Sequence, residues 1–227
     1  MLVLALVWSD MWCVCLLLCL AQVGAVGGRR LPEDCVGRYR REVADGTSAL
    51  TDILPRLATQ RWHLICEIVR DMRQCLNEST DEVEMEVRDK ALRIIPRVLD
   101  IACDQDIASK FSCMANVTNS HSPSCQSQCG PYTTPMLNQL AKFYPENETF
   151  ARQHVDRMCG FIRCRLQCHR EEMVAECDLE GYLAAKKLVR LLGGLVQVIG
   201  ETLRPQYEFL LAAEECKPDR LMEGLDP

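Results

Sequence analysis

The stretch GYLAAKKLVRLLGGLVQVIGETL (181–203) decides the fold class. Leu188, Leu191, Leu192, Leu195, Val198 and Ile199 recur at spacings of three and four, forming a broad apolar arc of a helix. Lys186, Arg190, Gln197 and Glu201 are expected on the opposite side, and Pro205 is expected to end the element. The same periodicity recurs upstream in QRWHLICEIVRDMRQCLNE (60–78), where Trp62, Ile65, Ile68, Val69, Met72 and Leu76 line one side. Asp81 to Leu99 continues in helical style, with Pro96 expected to kink or break it, and Asp104 to Met114 reads as a further short helix. Pro123, Gly130-Pro131 and Pro145 punctuate the middle, and Asn147 is placed to cap a helix running toward Cys168. No alternating run with a hairpin turn competes, so the sequence predicts an all-α fold.

Cysteine usage adds the second constraint. Of 15 cysteines in 227 residues, Cys13, Cys15 and Cys19 fall in an N-terminal apolar run, MWCVCLLLCL (11–20), followed by small residues at Ala21, Val23 and Ala25. Residues 1–25 therefore read as a signal peptide, and 26–227 as the folded, cysteine-rich helical domain. Its n-region carries Asp10 and no Lys or Arg, so translation starting at Met11 is the alternative. The remaining cysteines are Cys35, Cys66, Cys75, Cys103, Cys113, Cys125, Cys129, Cys159, Cys164, Cys168, Cys177 and Cys216, an even set that is most simply six disulfides in an oxidising compartment. Asn77, Asn116 and Asn147 head N-x-S/T sequons, which agrees with a secreted, extracellular glycoprotein. No stretch after the leader reaches the roughly 18–20 apolar residues of a membrane span, and the polar tail Lys217–Pro227 is no lipid-attachment signal.

An internal repeat bears on the pairing. CEIVRDMRQC (66–75) lies over CGFIRCRLQC (159–168), matching Arg70 with Arg163 and Gln74 with Gln167. Cys125 and Cys164 have no counterpart in the first copy, which would bond them to each other, leaving Cys129 for Cys159 and Cys35 for Cys66. Helix geometry gives a different result. Cys125/Cys129 and Cys164/Cys168 are i, i+4 pairs, each on one helix face, and antiparallel helices would join Cys125 to Cys168 and Cys129 to Cys164. Both pairings stand at this stage. Five of the twelve cysteines precede the Asn116–Ser124 stretch and seven follow, so full internal pairing requires a crossing bridge. The expected architecture is a disulfide-braced helical bundle, either one compact unit or two tightly joined similar subdomains at 31–115 and 120–217.

Catalytic patterns are missing from the sequence. It has no G-x-S-x-G, H-E-x-x-H or P-loop, and His63, His121, His154 and His169 form no recognisable constellation. Cys164-x3-Cys168-His169 could hold zinc only as reduced thiolates, which secretion disfavours. Glu171-Glu172 and Glu214-Glu215 read as solvated, Gly193-Gly194 as a close helix contact, and Arg38-Tyr39-Arg40-Arg41 as a basic face rather than a processing site. No catalytic residue, metal or cofactor is expected. A net charge of −6 without a basic stripe argues against nucleic acid, and 48% hydrophobic content against disorder.

Over roughly Cys125 to Cys216, the pattern Cys125-x3-Cys129…Cys159-x4-Cys164-x3-Cys168-x8-Cys177 resembles the cysteine-rich secreted domain of nematode chondroitin proteoglycan 4-like proteins. The resemblance implies a secreted protein linked to extracellular or eggshell matrix. This chain contains no Ser-Gly dipeptide, the usual chondroitin acceptor, so the implication is a shared domain without the glycosaminoglycan. The leading expectation is a non-enzymatic binding or extracellular-matrix protein with a protein or glycan partner. The second is a carrier of a lipid or other apolar ligand, lined by the 181–203 helix.

Overall fold

The computed structural model describes residues 54–78, 85–119, 123–130, 148–204 and 208–225, and all their regular structure is helical. The leader, Cys35, Arg38–Arg41, His121 and Asn147 lie outside the described residues. The chain divides into two compact units, Met1–Ala115 and Asn116–Pro227.

In the first unit, α1 (Leu54–Glu78) packs against α2 (Met85–Ala102). Trp62, Cys66, Val69, Met72 and Leu76 of α1 are buried, as are Ala91, Ile94, Ile95, Val98 and Ile101 of α2. The α1 set steps by three or four residues, and the α2 set does so apart from the adjacent Ile94 and Ile95, which places each on a single stripe; burying a large aliphatic side chain contributes about 1.5–3 kcal/mol. Pro96 does not break α2, which runs on to Ala102. Here tertiary burial on both sides of the proline outweighs the loss of one backbone hydrogen bond. A turn then leads to α3 (Gln105–Asn119), which is longer than the sequence suggests and whose last four residues belong to the second unit. Asp104 caps it, its Oδ1 accepting a 3.0 Å hydrogen bond from the Ile107 amide. Cys66 bonds Cys103 in the α2–α3 turn, and the Trp62 and Phe111 rings meet at 4.5 Å.

The second unit is organised around α5 (Glu148–Cys168). On it pack α4 (Pro123–Cys129), α6 (Arg170–Thr202), the short α7 (Glu208–Leu211), a 3₁₀ turn (Glu214–Cys216) and α8 (Pro218–Met222). Its core contains Met173, Tyr182, Leu188, Leu195, Ile199, Phe209, Leu221 and Leu225. The decisive helix of the sequence is the second arm of α6, which starts earlier than Gly181. Asp178 has φ 62° and ψ 177°, and it divides α6 into two arms. That conformation costs a non-glycine residue about 1–3 kcal/mol. Asp178 offsets part of the cost by capping the second arm, its Oδ1 accepting 2.9 Å from the Gly181 amide. Gly181 is needed at the bend because a Cβ there would lie 2.5 Å from the Cys177 Cβ.

Lys186 departs from its expected place. Its side chain is buried rather than on the solvent side, with the ammonium 5.9 Å from the centre of the Tyr182 ring. Tyr182 and Lys186 are four residues apart and share one face, and the long aliphatic stem lets the lysine cover apolar surface. Among the described residues, no helix is long and apolar enough to cross a membrane.

Candidate functional site

Three cysteines of α5 hold the second unit together. Cys168 bonds Cys125, Cys164 bonds Cys129, and Cys159 bonds Cys216. The two i, i+4 pairs therefore meet as antiparallel helix geometry requires. The repeat-derived pairing is overturned: Cys125 does not take Cys164, Cys129 does not take Cys159, and Cys66 goes to Cys103 rather than Cys35. Cysteines spaced by one helical turn constrain their partners by direction, whereas likeness between two segments carries no distance. Cys75, Cys113 and Cys177 are also disulfide-bonded, so every described cysteine is oxidised. That removes the Cys164/Cys168 zinc reading and any described thiolate nucleophile. No group of three or more His, Cys, Asp or Glu side chains that could hold a metal occurs among the described residues.

The neighbouring side chains of α5 grip the segment 214–225. Arg163 Nη2 pairs with Glu215 Oε2 at 2.9 Å, and Arg163 Nη1 donates 3.1 Å to the Arg220 carbonyl. Gln167 Nε2 donates 2.8 Å to the Glu223 carbonyl, and Asp156 Oδ1 accepts 3.0 Å from the Glu215 amide. Tyr182 of α6 donates its hydroxyl, 3.0 Å, to the Leu225 carbonyl. Gly224, at φ 73°, passes so close to Gln167 that a Cβ would lie 2.6 Å from its Nε2. Gly193 is the close contact expected of it, since a Cβ there would come within 2.8 Å of Leu221 and 3.2 Å of the Cys216 carbonyl; Gly194 has nothing nearby. Of Glu214-Glu215, Glu214 is exposed as expected, pairing with Lys217 at 2.6 Å, whereas Glu215 is half-buried against Arg163. The tail is thus docked, although its polar composition hid it. Leu221 and Leu225, one turn apart and fully covered, were the available signal.

A buried polar group sits where α5 meets α6. His169 is fully buried, its Nδ1 2.6 Å from Glu172 Oε2, so Glu172 is not merely solvated as expected. Arg165 is buried and donates from Nη2 to the Thr118 carbonyl. Burial lowers the Arg165 guanidinium from its ordinary value, and the charge of Glu172 opposes that shift. His154 is buried as well, whereas His63 is exposed. Burial first, and the Arg157 charge second, hold the His154 imidazole below its ordinary range. Nothing in these positions builds an acid–base or nucleophilic constellation.

Asn77 and Asn116 are both exposed. Among the described residues, the exposed large apolar side chains are Met85, Val174, Leu179 and Leu183, the last three flanking the Asp178 bend. Along the 181–203 helix, the hollow between Val196, Glu201, Leu210 and Lys217 has a volume of about 110 Å³. Comparisons with protein-family models, with curated proteins and with solved structures each found no match.

Proposed function

We propose that this chain is a secreted, non-enzymatic binding or extracellular-matrix protein, with the role the chondroitin proteoglycan 4-like resemblance implies but without chondroitin attachment. The observation that supports it is the oxidation of the scaffold: bridges from Cys159, Cys164 and Cys168 tie one helix to two separate segments. Such a framework persists in the secretory pathway and outside the cell, and is reduced in the cytosol. It holds a fixed surface in place rather than a reactive group. The partner is an extracellular protein or glycan. A carrier role has less support, because the 110 Å³ hollow on the 181–203 helix is well below the ~300–1,000 Å³ of ordinary ligand pockets.

Native mass spectrometry of the non-reduced protein from culture medium, after enzymatic removal of N-glycans, tests this reading. The expected mass is that of the processed, fully oxidised chain with no ligand. A co-purifying apolar species, or a chain retained in the cytosol with free thiols, would overturn it.

A further inference from the structure

The sequon Asn116-Val117-Thr118 lies wholly inside α3, and its two chemical groups point different ways. Residues two apart on a helix do not face each other. Asn116 is exposed, while Val117 and Thr118 are only 2% and 3% exposed. The Thr118 carbonyl is also held by Arg165, the residue next to Cys164, and Cys164 is bonded to Cys129. Glycan transfer joins the Asn side-chain nitrogen to the anomeric carbon of a lipid-diphosphate-linked oligosaccharide, with loss of the lipid diphosphate and one amide proton. The transferring enzyme must reach the amide and the hydroxyl residue two positions on at the same time. The folded α3 shows it only the first.

We propose that Asn116 is glycosylated only before α5 docks, so that its occupancy is set by a race between glycan transfer and closure of the Cys125–Cys168 and Cys129–Cys164 bridges. This rests on the secretory reading above. The timescales make the race close. Arg165 follows Thr118 by 47 residues, which take about 2–10 s to synthesise at ~5–20 residues per second. Disulfide formation itself begins on a scale of seconds. Asn77 is the internal contrast: it is exposed, in the last turn of α1. It lies in the first unit, outside the segment that the Cys125–Cys168 and Cys129–Cys164 bridges close.

The test expresses the full chain in secreting cells, with and without a membrane-permeant thiol reductant during synthesis. Occupancy is read at each asparagine in whole lysate by mass spectrometry, after enzymatic deglycosylation in heavy-oxygen water. Asn116 is expected to be partly occupied under normal conditions and to rise severalfold with reductant, to the level of Asn77, which stays constant. The quadruple variant Cys125→Ser/Cys129→Ser/Cys164→Ser/Cys168→Ser, which removes both bridges, should reproduce the rise without reductant. Asn116 occupancy that neither treatment moves, with Asn77 glycosylated, overturns the proposal alone. Asn77 without glycan in a cytosolic chain overturns the secretory reading and the proposal together.

Discussion

The segments 66–75 and 159–168 share the pattern C-x3-R-x3-Q-C when read from Cys66 and Cys159, as well as the same helical register, yet they do different work. In α5, Arg163 and Gln167 hold carbonyls of the 214–225 segment while Cys159 anchors it covalently at Cys216. In α1, Arg70 and Gln74 are exposed, Gln74 reaches only Glu78 one turn on, and Cys66 bonds the α2–α3 turn. Identical side chains on the same helix face thus contribute according to what a disulfide brings beside them. A matched residue is not a matched contact.

The largest test of that difference removes one bridge from each segment. Cys159→Ala/Cys216→Ala and Cys66→Ala/Cys103→Ala should each cost about 4 kcal/mol, given loops of 57 and 37 residues. Only the first should expose residues 214–225 to limited proteolysis; protection of that segment in both variants would break the comparison. Next in size is the arginine pair. Arg163→Ala should lose about 2 kcal/mol in urea unfolding, because it removes charge-assisted bonds to a carbonyl and a carboxylate from a largely covered site. Arg70→Ala, on an exposed face, should stay within about 0.5 kcal/mol. The glutamines sharpen the same contrast, with Gln167→Ala costing about 1 kcal/mol and Gln74→Ala about 0.3 kcal/mol.

The smallest effect is a pH dependence carried by His154 on α5, whose equivalent position on α1 has no buried histidine. Its folded-state proton affinity is depressed by burial and by Arg157. The unfolded chain therefore binds the extra proton, and this group's contribution is fully present above the ordinary imidazole value near 6.5 and lost as pH falls below it. Unfolding midpoints of the native chain should drop between about pH 7 and pH 5, and His154→Gln should show a shallower drop over that window.

Much of the helical frame was legible from spacing. The apolar positions of 60–78 that periodicity selected include Trp62, Val69, Met72 and Leu76, all buried, with Ile65 and Ile68 half-buried beside them. The antiparallel cysteine pairs were legible for the same reason: an i, i+4 spacing carries a direction. What escaped were features set by distant chain. The charge of Lys186 points to solvent, whereas its position one turn from Tyr182 lays it over that ring. The Asp178 bend leaves no periodic trace, because a cap at positive φ sits between two helical arms; Asp three residues before Gly181 is its one cue. The docked tail looked polar because its anchors are backbone carbonyls, which no side-chain pattern reports.

The paired bridges between α4 and α5 also write the polarity of α4 into covalent chemistry. Cys125 meets Cys168 and Cys129 meets Cys164, each with Cα atoms 5.7 Å apart. Exchanging partners between the two bridges would require α4 to lie end for end against α5. Among oxidative refolding isomers, a peptide map of these four cysteines therefore works as a compass: one fragment pattern marks chains whose α4 points the native way, and the exchanged pattern marks chains in which it was laid down reversed.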